Sequence, residues 1–255
     1  MFFCYHPKNV FGDTESQSNI YIRNSDDKTM QISLVIPAYN EEDRIETALS
    51  NYYNPFQDQE IIIVCDGTDN TRNIVGELSK KHPNIKLLIF ERRLGKGGAV
   101  IEGFKAAEGE RIGFVDADGA VEPDDIKRMF DLLSQVDGVI ASRRLKESKI
   151  LVRQPLKRRI ASKIFNILVR IIFGLNFKDT QCGAKVFRKE AIKNVSGELN
   201  TKGFEFDVEL LWRLKKRGYK VIEFPITWKH SEGSGFSLSN APKMFFSLLK
   251  VRLWK

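Results

Sequence analysis

The chain is poor in cysteine, with three thiols, Cys4, Cys65 and Cys182, in 255 residues. Their number is odd and their spacing is unlike that of zinc ligands. Neither a disulfide framework nor a structural zinc site is expected, and a reducing compartment is. Long apolar runs are also missing. No stretch of 18 uninterrupted apolar residues occurs, so no membrane-spanning helix is predicted. The opening MFFCYHPKNV lacks the basic start and long apolar segment of a secretory signal. Acidic residues are scarce in one place. Between 143 and 163 stand nine basic side chains (Arg143, Arg144, Lys146, Lys149, Arg153, Lys157, Arg158, Arg159, Lys163) and one acid, Glu147. That segment accounts for the whole net charge of +8. A concentrated basic patch suits a polyanion: nucleic acid, anionic lipid or a phosphate-bearing substrate.

What is present points to a folded enzyme-sized domain. Apolar residues make up 42% of the chain, ample for a core. Residues 1–30 are polar and aperiodic and read as a loosely held extension. From Gln31 a rhythm begins. Short apolar segments at 32–36, 61–64, 86–90, 112–115 and 138–141 read as strands. Helical stretches follow the first four, at 40–53, up to 81, at 98–107 and after Pro123. Pro123 with Asp124 and Asp125 suits a helix N-terminus. Strands alternating with helices predict an α/β fold with a mostly parallel, doubly wound sheet. Such sheets bind ligands beyond the carboxyl ends of their strands. Polar residues collect at three such ends: Pro37-Ala38-Tyr39-Asn40-Glu41, Asp66-Gly67 and Asp116-Ala117-Asp118.

The last of these carries the most chemistry. In an extended chain residues two apart share a face, so Asp116 and Asp118 point the same way. Two close carboxylates repel unless a cation sits between them, and a hard divalent ion holding a diphosphate is the usual solution. The alternative is a plain turn, since Asp, Gly and Pro from 116 to 123 also punctuate a chain.

After 141 the rhythm breaks. Residues 160–173 project as a helix with Arg159, Lys163, Asn166 and Arg170 on one side. Ile160, Ile164, Ile167, Leu168, Ile171 and Ile172 lie on the other. That pattern predicts a helix in a membrane interface; the alternative is a surface helix packed on the core. Residues 204–217 form a further helix, with Asp207 inside its apolar stripe. Asp207 either caps the helix start or faces a site. A strand is expected at 219–224, and an amphipathic helix at 242–254.

Six motifs in order resemble glycosyltransferase family 2, within it the polyprenyl- or dolichyl-phosphate glycosyltransferases. They are SLVIPAYNEEDRI (33–45), CDGTDNT (65–71), RRLGKGGAV (92–100), FVDADG (114–119), DTQCGAKVF (179–187) and FDVELLWRLKKRGYKV (206–221). The resemblance implies a GT-A, Rossmann-like catalytic domain over 31–235, with amphipathic interfacial segments at 143–175 and 236–255. It implies that Pro37, Tyr39 and Glu41 hold base and ribose. Asp66 would bind the base, Cys65 replacing a second acid usual there. Lys96 and Gly97 would approach the nucleotide. Asp116 and Asp118 would hold Mg²⁺ or Mn²⁺ with the diphosphate. Arg143 and Arg158 with Ser162 would receive the acceptor phosphate, the other basic residues remaining a solvated or lipid-facing surface. Asp207 would orient a substrate, or act as base if the acceptor were a hydroxyl. Relatives carry a cation after the serine of the Gly/Ser stretch. Here Gly235 follows Ser234, which passes that role to Lys229 or His230.

The implied reaction is inverting transfer of a hexose from a nucleotide sugar, UDP-glucose being favoured, to polyprenyl or dolichyl phosphate at the cytoplasmic face of a membrane. GDP-mannose and UDP-N-acetylglucosamine are alternative donors, and a glycan hydroxyl is an alternative acceptor. No nucleic-acid partner is expected. A binding module using the basic patch alone would leave the paired aspartates unexplained.

Overall fold

The computed structural model describes residues 21–22, 32–152, 154–230 and 241–253. The chain divides into two compact units at Gly119–Ala120.

The first unit contains β1 (Tyr21–Ile22), β2 (Ile32–Ala38), α1 (Ile45–Tyr53), β3 (Glu60–Cys65), α2 (Thr71–Lys81), β4 (Ile85–Ile89), α3 (Gly95–Ala106) and β5 (Arg111–Val115). Strand order is β1-β4-β3-β2-β5. β2 to β5 are parallel, and β1 adds an antiparallel edge inside the segment expected to be a loose extension. All six residues of β3 are buried, the signature of a parallel strand covered on both faces. α3 lies against β2. Gly103 permits this, because a side chain there would run into Val35. From β2 the chain builds outward through β3 and β4, then returns to place β5 on the other flank. The topological switch therefore falls between β2 and β5, where such sheets open a crevice beyond their strand ends.

Two helices start elsewhere than the periodicity predicts. Residues after β2 turn before α1 begins at Ile45, because Asn40 adopts the left-handed φ of 53°. Asn and Gly tolerate that region best. α3 starts earlier, at Gly95.

The second unit contains α4 (Pro123–Asp131), β6 (Gly138–Ser142), β7 (Lys149–Val152), α5 (Leu156–Phe173), β8 (Ala184–Arg188), α6 (Lys189–Ser196), α7 (Phe206–Lys216), β9 (Val221–Pro225), β10 (Thr227–Lys229) and α8 (Ala241–Leu253). β6 lies between antiparallel β8 and parallel β9, and β7 pairs in parallel with β10. β7, β8, β10 and α6 are additions to the elements expected. β7 and β10 are too short to show a period. In β8 a lysine interrupts the apolar run that would have marked the strand.

α5 differs most from a packed surface helix. Val169 and Phe173 are buried, while Leu156, Ile160, Ile164, Ile167 and Ile171 are at least half exposed, Ile171 at 75%. α8 packs on α7, with Leu248 and Val251 buried and Phe246 and Leu253 exposed. Among the described residues no helix is long and apolar enough to cross a membrane.

Candidate active site

The first unit assembles its polar groups at the ends of β2, β3 and β5. The turn after β2 is tied to the turn after β3. Thr68 donates its N–H to Asn40 Oδ1 at 2.9 Å, and Glu41 donates its N–H to Thr71 Oγ1 at 2.8 Å. A Cβ on Gly67 would stand 2.5 Å from Asn40 Oδ1, so only glycine lets the two turns meet. Tyr39 projects beyond the strand that contains Pro37, and the Arg93 guanidinium lies over its ring, 3.3 Å from the centroid. Glu41 gives its carboxylate to Arg44, which donates Nη2–H to Oε1 at 2.9 Å. Glu41 raises the pKa of Arg44, and Asp118 and Asp116 add to the rise. Arg44, unassigned in the motifs, thus carries positive charge toward both acids.

Asp66 is buried, and its Oδ2 accepts the N–H groups of Leu94 at 2.7 Å and Gly95 at 3.0 Å. It anchors the loop that opens α3 and so places Lys96 and the buried Gly97. Burial, with Asp66 beside it, pushes the Cys65 thiol up to about 12, so Cys65 is a neutral apolar wall where an acid would bring charge.

β5 ends at Val115. Asp116 and Asp118 are half-buried and the intervening Ala117 is buried, which is the alternation expected of the pair. Lys96 Nζ stands 2.9 Å from Asp116 Oδ1. No cluster of three or more His, Cys, Asp or Glu gathers among the described residues. Two carboxylates supply hard oxygen donors but not a full set, so a divalent ion held here would complete its shell with water or phosphate oxygens. The pair fits such an ion: one of its carboxylates, Asp116, already holds the cationic Lys96 ammonium.

The second unit carries the basic cluster. Asp179, 1% exposed, receives a fork from Arg143: Nε–H to Oδ2 at 2.7 Å and Nη2–H to Oδ1 at 2.9 Å. Burial alone would raise the Asp179 pKa, but the charge and hydrogen bonds of Arg143, with Arg144 adding, hold it below the usual carboxylate range. Arg144 donates to Ser162 Oγ at 2.7 Å and to the Lys178 carbonyl at 2.9 Å. Its pKa is lowered by burial. Glu223 on β9 accepts the N–H groups of Lys178 and Asp179, fixing this loop.

These residues border a cavity of about 330 Å³, lined among others by Arg143, Arg144, Arg159, Ser162, Lys163 and Trp228. The expectation for this region changes. Arg144, Arg159 and Lys163, read as mere surface, line the cavity, and Arg143 reaches its wall with its fork shared with Asp179. Arg158 falls on α5, but its side chain lies outside the described residues, as do Ser234 and Gly235. Lys229 is exposed, and the His230 ring stacks near Trp228, 5.8 Å between centroids.

Asp207 stands at the start of α7, 1% exposed, with Lys185 Nζ donating to its Oδ1 at 2.5 Å. Lys185, wholly buried, also donates to the Cys182 carbonyl at 2.7 Å. The acid in the apolar stripe is therefore one half of a buried ion pair. The partners missed from sequence are Asp179 and Lys185, inside a visible motif, and Glu223, in an expected strand, but nothing local announces a pair made across the fold.

The comparisons with known proteins agree with this geometry. Residues 33–196 match Glycosyl transferase family 2. The dolichyl-phosphate beta-glucosyltransferase of Dictyostelium discoideum is 30% identical over 249 residues, covering 88% of this chain and 76% of that protein. That of Saccharomyces cerevisiae is 32% identical over 254 residues, covering 89% and 76%. Among solved structures, glucosyl-3-phosphoglycerate synthase from Mycobacterium tuberculosis with Mn²⁺, UDP and glucosyl-3-phosphoglycerate superposes with a TM-score of 0.63 at 18% identity, covering 88% of this chain and 79% of that one. A mannosyltransferase from Pyrobaculum calidifontis with GDP-Man and Mn²⁺ gives 0.59 at 18%, covering 86% and 64%. At such identities the superposition speaks for the GT-A fold alone. The strand ends, the paired aspartates and the family match together make the chain a glycosyltransferase, a member of glycosyltransferase family 2.

Proposed function

We propose that the protein transfers glucose from UDP-glucose to dolichyl phosphate or a similar polyprenyl phosphate, with inversion, while lying on the cytoplasmic face of a membrane. The observation that carries this reading is the pairing, within one unit, of a cationic cavity with an apolar helix face that stays exposed. Arg144, Arg159 and Lys163 line the cavity, and α5, which bears the last two, turns Ile160, Ile164, Ile167 and Ile171 outward. A phosphate on a long hydrocarbon chain needs both: guanidinium and ammonium donors for its oxygens, and a surface that keeps its tail in lipid. The names of the relatives near 30% identity support the same acceptor and glucose as the sugar. The base is less constrained, since structural neighbours of similar fit hold UDP or GDP-Man.

The residues then divide the work. Pro37, Tyr39, Glu41 and Asp66 border the nucleotide, and Gly97 lets the backbone come close. Asp116 and Asp118 would hold Mg²⁺ or Mn²⁺, whose charge offsets that gathering on the departing diphosphate. Lys96 and Arg44 add fixed positive charge on the same side. An acceptor phosphate oxygen forms the new bond to the anomeric carbon as the bond to the β-phosphate oxygen breaks and UDP leaves. The nucleophile is already anionic at neutral pH, so no general base is needed. Asp207 is suited to that economy. Taking a proton would leave the buried Lys185 ammonium without its counter-charge, which is costly. This favours phosphate over a glycan hydroxyl as acceptor.

The test offers labelled UDP-glucose, GDP-mannose and UDP-N-acetylglucosamine in turn with dolichyl phosphate and Mn²⁺, followed by extraction of lipid product. Label from UDP-glucose should enter the lipid phase and disappear with a chelator. Label from another donor alone would refute the choice of sugar. Transfer only to a glycan, abolished by Asp207→Asn, would refute the acceptor.

A further inference from the structure

Lys96 is placed where the reaction needs a divalent ion. Its ammonium lies 2.9 Å from Asp116 Oδ1, and its side chain is 10% exposed while that of Asp116 is 35% exposed. The same ammonium stands over the Phe114 ring, with Nζ 5.5 Å from the centroid. Asp66 fixes the start of the helix that carries it, through the N–H groups of Leu94 and Gly95. The contact is thus built by a buried anchor and is more than a wandering surface lysine reaching an acid.

We propose that Lys96 is a placeholder cation: it occupies the charge position of the Asp116–Asp118 pair until a nucleoside diphosphate arrives, so that metal and diphosphate bind together. This rests on reading the site as one for a nucleotide sugar. A metal ion arriving alone must displace an ammonium from one of two carboxylates, and it then sits beside that like charge in a half-buried place. A diphosphate removes both obstacles. Its oxygens complete the ion's shell, and they give Lys96 an anionic partner within reach of a flexible four-carbon stem. Each of metal and nucleotide therefore tightens the other, and by the same factor. The consequence for the cycle is that free metal would not hold the site in advance, and once the nucleoside diphosphate had left, the Lys96 ammonium would again neutralise Asp116 and weaken the hold on an ion.

The experiment is Mn²⁺ titration followed by electron paramagnetic resonance, on the wild type, Lys96→Met, Lys96→Arg and Asp116→Asn, each alone, with UDP and with GDP. Wild type should bind Mn²⁺ weakly alone and much more tightly with UDP. Lys96→Met should bind Mn²⁺ alone about tenfold or more tightly than wild type, because the competing charge is gone. Its gain on adding UDP should shrink. Lys96→Arg keeps the charge and should stay near wild type, and Asp116→Asn should lose the ion. Thermal unfolding of each variant confirms that it is folded. Equal Mn²⁺ affinity of Lys96→Met and wild type without nucleotide overturns the proposal. If Lys96→Met gains metal affinity but neither UDP nor GDP alters Mn²⁺ binding in any variant, the placeholder role stands and the nucleotide reading of the site falls.

Discussion

The Asp179 carboxylate shows how much depends on one buried acid. Three hydrogen bonds from Arg143, one of them from its backbone N–H, end on it. Removing one partner of such a buried pair costs about 3–5 kcal/mol, because the other is left uncompensated. Asp179→Asn should therefore lower stability at pH 7 by roughly that amount. The pH dependence has a definite sign. The native pKa lies below the unfolded value, so the contribution is complete above about pH 4 and fades as pH falls through the lowered native value. Wild type should lose stability on acidification more steeply than the asparagine variant, as melting temperature against pH would record. Parallel slopes would mean that Arg143 does not favour the ionised form. In an assay with lipid acceptor, the same variant should raise the KM for dolichyl phosphate more than that for the nucleotide sugar, since Arg143 lines the cavity and the nucleotide-type residues belong to the first unit.

At the scale of the element, α5 is unusual because its amphipathic face points the wrong way for a soluble helix. Burial goes to the narrow side containing Asn166, Val169 and Phe173, and the broad isoleucine side faces outward. Fully burying an aliphatic side chain contributes about 1.5–3 kcal/mol, and these residues are already partly covered. Replacing Ile160, Ile164 and Ile171 together by serine should cost about 3 kcal/mol of membrane partitioning, roughly a hundredfold. Sedimentation with vesicles of anionic lipid would measure it. The melting temperature should change little, because none of the three is buried. Undiminished vesicle binding would refute the interfacial role of this face. The chain around α5 also concentrates the basic residues, so vesicle binding of the wild type should weaken as salt rises.

For the molecule as a whole, the prediction concerns linkage between ligands and stability. The switch between β2 and β5 brings two strand ends with polar residues side by side in one unit, and Asp116 and Asp118 belong to one of them. UDP and Mn²⁺ together at a hundred times their joint dissociation constant should stabilise the fold by about 2.7 kcal/mol, or about 5–11 °C in melting temperature for a chain of this size. Mn²⁺ alone should give almost none of that rise. A rise of equal size with Mn²⁺ alone would show a preformed metal site. Asp116→Asn should abolish the joint effect.

What the sequence determined by itself was local. Short apolar runs and helical spacing marked five strands and the helices between them. The i, i+2 relation placed Asp116 and Asp118 on one face, because the pleat of an extended chain imposes it whatever the surroundings. Motif order was enough for the family, and the concentration of charge was enough to mark the segment that lines the cationic cavity. The tertiary structure decided the partners. Arg143 meets Asp179 across 36 residues, Lys185 meets Asp207 across 22, and Asp66 holds the Leu94 N–H across 28. No spacing rule joins such residues, since their approach depends on how strands and loops return through space. The same holds for α5. A helical wheel shows that an apolar face exists, but only the packing of its neighbours decides that the face remains uncovered.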